Sequence, residues 1–277
     1  MQVKKVVLFS KSGDKLVDTV KHEITKYLME NSVETLSASI REEIASFNPD
    51  VIVTIGGNGT VLRAAKLLTQ KQIPILPLRA YGGYGGLCEL GVENWRKALD
   101  NLLTGKYTLE ERTRLIGEAN SKTLPPTLNE YLTIKSLKAL KFKVRVDGET
   151  AILTLSDGVL ISTPTGSTAY ALTASGLIVD PRAEAIVIAL LNPWPLATKP
   201  PLRALVVPSS STVKIESTSK FNVLADGENC VETNELKVRK HEVPVLFVRF
   251  TRSRYSLILG RHLDWLKREW EFKCLEK

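Results

Sequence analysis

Cysteine and histidine are scarce in this chain of 277 residues, three of each, and the cysteines form no Cys-x-x-Cys pair. Cys88, Cys230 and Cys274 are odd in number and scattered, which argues against a disulfide framework and for a reducing compartment; a cytoplasmic protein is expected. His22, His241 and His262 are equally isolated, so no zinc site follows from their spacing. No apolar run approaches the roughly 20 residues that span a bilayer, and the opening MQVKKVVLFSKSGDK has too short an apolar core for a secretory signal. No repeat or low-complexity segment is found. The net charge of +8 comes without a recognised nucleic-acid module. It is therefore read first as a solvated basic surface, with attraction of small anions such as nucleotides as the alternative. Neither a membrane nor a nucleic acid is an expected partner.

What is present divides the chain. In the first hundred residues, strand-like runs alternate with helical spacing. VKKVVLF predicts a strand. Leu16, Val17, Val20, Ile24, Tyr27 and Leu28 then recur as one helix face after Asp14. A short helix at IREEIASF leads to the strand VIVTI, the turn GGNG and a helix with Val61, Leu62, Ala65 and Leu68 on one side. The strand IPILPL and the helix VENWRKALDNLLTG follow, the latter closed by a glycine suited to a C-cap. This order implies a doubly wound, Rossmann-like α/β domain over residues 1–106.

From about residue 107 the period changes. KFKVRVDGETAILTL alternates, with Phe142, Val144 and Val146 on one face and a hairpin turn at Asp147-Gly148. A second Asp-Gly turn stands at Asp226-Gly227. An antiparallel β-sandwich of two packed sheets is expected over 107–248. Residues 249–277 return to helical spacing, with Leu263, Leu266 and Trp270 on one face, and a helix packing back on the first domain is expected.

Four stretches carry candidate chemistry. In IGGNGT, Gly56, Gly57 and Gly59 let backbone approach a ligand, and a helix beginning at this point offers unpaired N–H groups to an anion. A plain strand-to-helix turn is the competing reading. Residues 156–176, SDGVLISTPTGSTAYALTASG, pack hydroxyls and glycines between apolar runs, with the ring of Tyr170 beside them. Asn129-Glu130 is a polar pair that says little alone. GGYGG at 82–86 is either a ligand loop at a strand's carboxyl end or an ordinary surface loop.

Together and in this order, GGNGT, G-Y-G-G from Gly83 to Gly86, Asn129-Glu130 and TPTGSTAY from Thr163 to Tyr170 resemble the NAD kinase family. ERTRL and the ADG at Asp226 fit the same pattern. The resemblance runs from about residue 50 to the C-terminus. It implies phosphoryl transfer from ATP or polyphosphate to the 2′-hydroxyl of NAD's adenosine ribose, giving NADP. It also implies a site in the cleft between the two domains, Mg2+ carried by the donor phosphates, and a homodimer or homotetramer. Gly56, Gly57, Gly59 and Thr60 would cradle phosphates. Asn129 and Glu130 would hold the adenosine side of NAD, and Asp157 its nicotinamide portion. Thr165, Thr168, Ala169 and Tyr170 would line the adenine and ribose pocket.

Two positions depart from the family's pattern. PLRAY precedes the second glycine loop where the family has an asparagine, and Asn58 stands where the family has the aspartate thought to take the proton of the accepting hydroxyl. An amide of nearly the same size cannot accept a proton at working pH, so impaired turnover is expected. Three origins stay open: an engineered Asp-to-Asn exchange, a natural enzyme with another proton acceptor or a slow reaction, and a non-catalytic NAD/NADP-binding sensor. A lipid kinase sharing the glycine turn is a further alternative, less well matched because it has no use for TPTGSTAY. Asn58-Gly59 is also a deamidation-prone dipeptide whose product would be aspartate.

Overall fold

The computed structural model describes residues 3–11, 13–68, 71–81, 86–135 and 138–250. The expected C-terminal helix and most of the GGYGG loop lie outside them. The chain divides into two bodies, one running to Glu110 and resuming at Val245, the other spanning Glu111–Pro244.

The first body is a sheet flanked by helices. Its strands run in the spatial order Glu34–Ser37, Lys5–Ser10, Val51–Gly56, Ile75–Arg79, Val245–Arg249 and Thr108–Arg112, with Leu90–Gly91 on Ile75–Arg79. The pairs from Glu34–Ser37 through Val245–Arg249 are parallel. Valines and isoleucines buried on both faces, as in Val51–Gly56, are what a sheet covered on both sides requires. The helix Lys15–Glu30 starts at Asp14, whose carboxylate accepts from Val17 N–H at 3.1 Å, and buries Val17, Val20, Ile24 and Leu28. Leu16, expected on that face, is exposed, one position off the stripe. The helix Trp95–Leu103 ends at Gly105 in the left-handed region, as the sequence suggests.

Strand order reverses beside Lys5–Ser10. Its first crossover goes to Glu34–Ser37 on one side, and the next strand, Val51–Gly56, lies on the other. Such a switch point leaves a crevice at the strands' carboxyl ends, where open α/β sheets bind ligands. The glycine turn stands there.

The second body is antiparallel, and among the described residues its ten strands form one hydrogen-bonded sheet instead of two separate ones. The long hairpin Val213–Ala225/Glu228–Lys240 explains how one sheet supplies two layers. The near half of Val213–Ala225 pairs with Leu140–Val146 and the far half with Glu130–Ile134. The register breaks between Glu216 and Phe221, which lets the strand bend. The main core lies between the layers, where Phe142 and Ile152 join Phe221, Ile161 and Ile188; a smaller cluster holds Leu132, Leu160, Ala174, Ala189 and Leu191. Asp147-Gly148 and Asp226-Gly227 make the two expected turns, all four residues with positive φ.

Candidate functional site

At the glycine turn the strand Val51–Gly56 gives way to the helix Asn58–Leu67, whose cap residue Gly57 makes no side-chain capping bond. The first N–H groups of such a helix have no intrahelical partner and carry the positive end of its dipole. The three glycines do different work. A Cβ on Gly56 would stand 2.3 Å from Thr60 Oγ1, so this glycine lets the helix start close to the strand. Beside Gly57 and Gly59 a Cβ would meet nothing within 4 Å, and both residues are exposed. Bare backbone facing open space at a helix N-terminus fits an anion's close approach.

Asn58 is half-buried, and its Oδ1 accepts from the Leu87 N–H at 3.2 Å. A backbone donor selects the oxygen, so the amide group is oriented: Oδ1 points to Leu87 and Nδ2, which only donates, is left for other partners.

The second body collects most of the other candidates around the strands Glu130–Ile134 and Gly158–Ser162, paired with Ser162 opposite Glu130. Asn129 O accepts from Thr163 N at 2.9 Å and from Ser162 Oγ at 3.1 Å. Glu130 is buried, its Oε2 has no hydrogen-bond partner among the described residues, and burial, with the nearby Asp226 adding to it, pushes its carboxyl up to about 8. Asp226 faces the same segment, accepting from the N–H groups of Leu128, Asn129 and Glu130 at 2.9, 2.8 and 3.1 Å.

The loop after Ser162 turns many of its hydroxyls inward. Thr163 Oγ1 donates to Leu128 O at 2.6 Å and accepts from Gly166 N; Ser167 Oγ donates to Pro164 O at 2.7 Å and accepts from Val179 N. Thr165 is buried and its Oγ1 accepts from Arg112 Nη1 at 3.1 Å. Thr168 and Ala169 are half-buried and Tyr170 is 43% exposed. Asp157 lies at the other end of Gly158–Ser162, roughly 20 Å along the chain from Thr163 at strand rise. Asn192, itself at φ 44°, donates to its Oδ2 at 2.9 Å.

Residues 4–107 match the family model described as ATP-NAD kinase N-terminal domain, and residues 129–250 the one described as ATP-NAD kinase C-terminal domain. The chain belongs to the NAD kinase family. It is 38% identical over 231 residues to an NAD kinase of Methanothermobacter thermautotrophicus, covering 80% of each chain. To an NAD kinase of Pyrococcus abyssi it is 35% identical over 250 residues, 87% of this chain and 85% of the relative. Among solved structures it is similar to an NAD kinase from Archaeoglobus fulgidus in complex with ATP, at TM-score 0.79 and 25% identity over 93% of this chain and 98% of that one. It shares its fold with a yeast NADH kinase complexed with NADH, at TM-score 0.81 and 22% identity, over 100% of this chain and 90% of that one.

Beyond the NAD kinase motifs, nothing local in the sequence marks Glu110 or Arg249, which are buried as an ion pair. Arg112 and Arg114 stand in the sequence only as part of ERTRL, and both are buried. Arg114 donates through Nε to Val243 O at 2.9 Å, and burial lowers its guanidinium to about 10. An arginine within an alternating polar run has no local mark of burial. Its partners here are more than 50 residues away.

Proposed function

We propose that this member of the NAD kinase family transfers the terminal phosphoryl group of ATP to the 2′-hydroxyl of NAD's adenosine ribose, with turnover limited by Asn58. The observation that carries the reading is the oriented Asn58 amide at the glycine turn. The uncapped helix start and the open backbone at Gly57 and Gly59 support donor-phosphate binding there. Asn129, Glu130 and the Thr165–Tyr170 segment are assigned to NAD, and Asp157 to its nicotinamide end. Magnesium, carried by the donor phosphates, would supply the neutralisation of their charge that phosphoryl transfer needs. Nδ2 of Asn58 donates to the accepting hydroxyl's oxygen and leaves its proton without an acceptor. Aspartate at this place would keep the Leu87 bond with one oxygen and take the proton with the other.

A homo-oligomer in the cytoplasm completes the proposal. Trp194 and Leu196, exposed on the second body, support self-association, and Cys88 and Cys230, which stand as thiols and not in a disulfide, suit a reducing compartment. NADP formation from NAD, ATP and magnesium is to be measured beside Asn58→Asp, with the variant expected to be faster by about 10²–10⁴, the range of a positioned general base. Equal rates would assign proton removal elsewhere. Binding of NAD with no turnover in either protein would make the chain a sensor and defeat the proposal.

A further inference from the structure

Behind the glycine turn lies a buried ion pair. Arg249, last residue of the strand Val245–Arg249, holds Nε 2.7 Å from Glu110 Oε2, and both side chains are only 5% exposed. Its Nη1 donates to Leu87 O at 2.9 Å. Leu87 N–H in turn donates to Asn58 Oδ1 at 3.2 Å. The guanidinium also lies over the Phe247 ring, 4.7 Å from its centroid.

Removing two charges from water is costly, and an apolar pair of similar volume is often as stable. A buried pair at this position therefore calls for a reason other than stability. We infer that Glu110 and Arg249 are positioning residues for Asn58: they anchor Leu87, and Leu87 decides which end of the Asn58 side chain faces the ligand. The inference rests on the proposed phosphoryl transfer for the identity of that ligand.

Arginine suits the task because its planar fork serves two partners at a fixed angle, the carboxylate through Nε and the carbonyl through Nη1. With the Leu87 carbonyl pinned, its N–H is presented to Asn58 in one direction. The two charged residues also flank the points where the chain leaves this body, after Glu110, and resumes, at Val245. The clamp is thus built from the chain's exit and its return, and it stiffens the turn through side chains more than 20 residues away in sequence.

The test uses two variants. Glu110→Met with Arg249→Met removes both charges together, so neither stays buried without its opposite, which is the exchange that a fold tolerates best at a buried pair. Arg249→Lys keeps the charge and loses the fork. In the chain as it is, NMR follows hydrogen exchange of the Leu87 amide and the Nδ2 proton resonances of Asn58, with the Ile24 and Ile52 amides as core references. We expect Leu87 exchange to quicken about tenfold or more, equivalent to about 1.4 kcal/mol of lost protection. The Asn58 resonances should move while the references stay. In the Asn58→Asp background, both variants should lower kcat about tenfold and leave the KM for ATP unchanged. They should also move the acid limb of kcat to higher pH, because a carboxylate that loses a donor holds its proton more tightly. Unchanged Leu87 exchange overturns the inference whether or not the chain is a kinase. Faster exchange with unaltered kcat and acid limb makes the pair structural only, and also overturns it. If Asn58→Asp shows no turnover, the proposed function fails instead, and the Leu87 and Asn58 resonances alone decide the clamp.

Discussion

The glycine turn of the first body and the hydroxyl-rich loop of the second are both conspicuous in sequence, yet they are built on opposite plans. In GGNGT two of three glycines have nothing within 4 Å of an added Cβ, so their bareness answers to something outside the fold. In TPTGSTAY the glycine is crowded, with an added Cβ only 2.3 Å from Asn129 O, and Thr163 and Ser167 are engaged with backbone. Residues of one motif thus divide between holding the loop and facing outward. Residue type alone does not separate them: Ser167 is fully buried and Tyr170, three positions on, is exposed.

The largest effect that would break this contrast is expected from Gly166→Ala. Its Cβ collides with backbone, so the loop or the Asn129 segment must shift. Unfolding of the second body should become easier by about 1–3 kcal/mol or more, measured by urea titration. A neutral result would show that the loop is not built around its glycine. Ser167→Ala should cost somewhat less, about 1–2 kcal/mol, because it takes the Val179 N–H's acceptor away and leaves the Pro164 carbonyl only the longer bond from the Ser167 N–H. If the same change left stability intact and weakened NAD binding, the hydroxyl would face the ligand after all.

Glu130 sharpens the comparison through pH. Its carboxyl is raised from 4.5 to about 8, by burial first and Asp226 second. Between those values the folded chain keeps a proton that the unfolded chain has lost. The stability this proton confers is full below about 4.5 and falls away as pH rises to about 8. Glu130→Gln should flatten that decline between pH 5 and pH 8 in urea titrations. A decline as steep as the parent's would place its origin elsewhere. The smallest effect on stability is expected from Gly57→Ala, within about 0.5 kcal/mol, since φ −103° suits any residue and space is free. On the proposed function ATP binding should nevertheless weaken, because a methyl group would occupy the proposed approach of the donor phosphates. Calorimetry that found ATP affinity unchanged would remove the turn from the donor site.

Much of the fold was legible because it rests on local chemistry. Asp14 and Gly105 delimit their helices, and the two Asp-Gly turns set their hairpins. The exposed Leu16 lies one position outside the buried stripe of its helix, a distinction that spacing alone does not make. Two layers were anticipated in the second body, but the single bent sheet was not, since the register break between Glu216 and Phe221 depends on two different strands pairing with one. At the candidate site, the glycines and Asn58 stood out in the sequence, whereas the direction of the Asn58 amide did not.

The sequence by itself determined the elements, the turns and the motif that marks the family, because each depends on residues within a few positions of one another. Tertiary structure alone decided which motif residues are enclosed, that Glu110 and Arg249 form a buried pair, and that Asn58 turns its oxygen to Leu87. Those outcomes depend on burial and on partners 29 to 162 residues apart. No local pattern specifies such distances. The packing of the whole chain does.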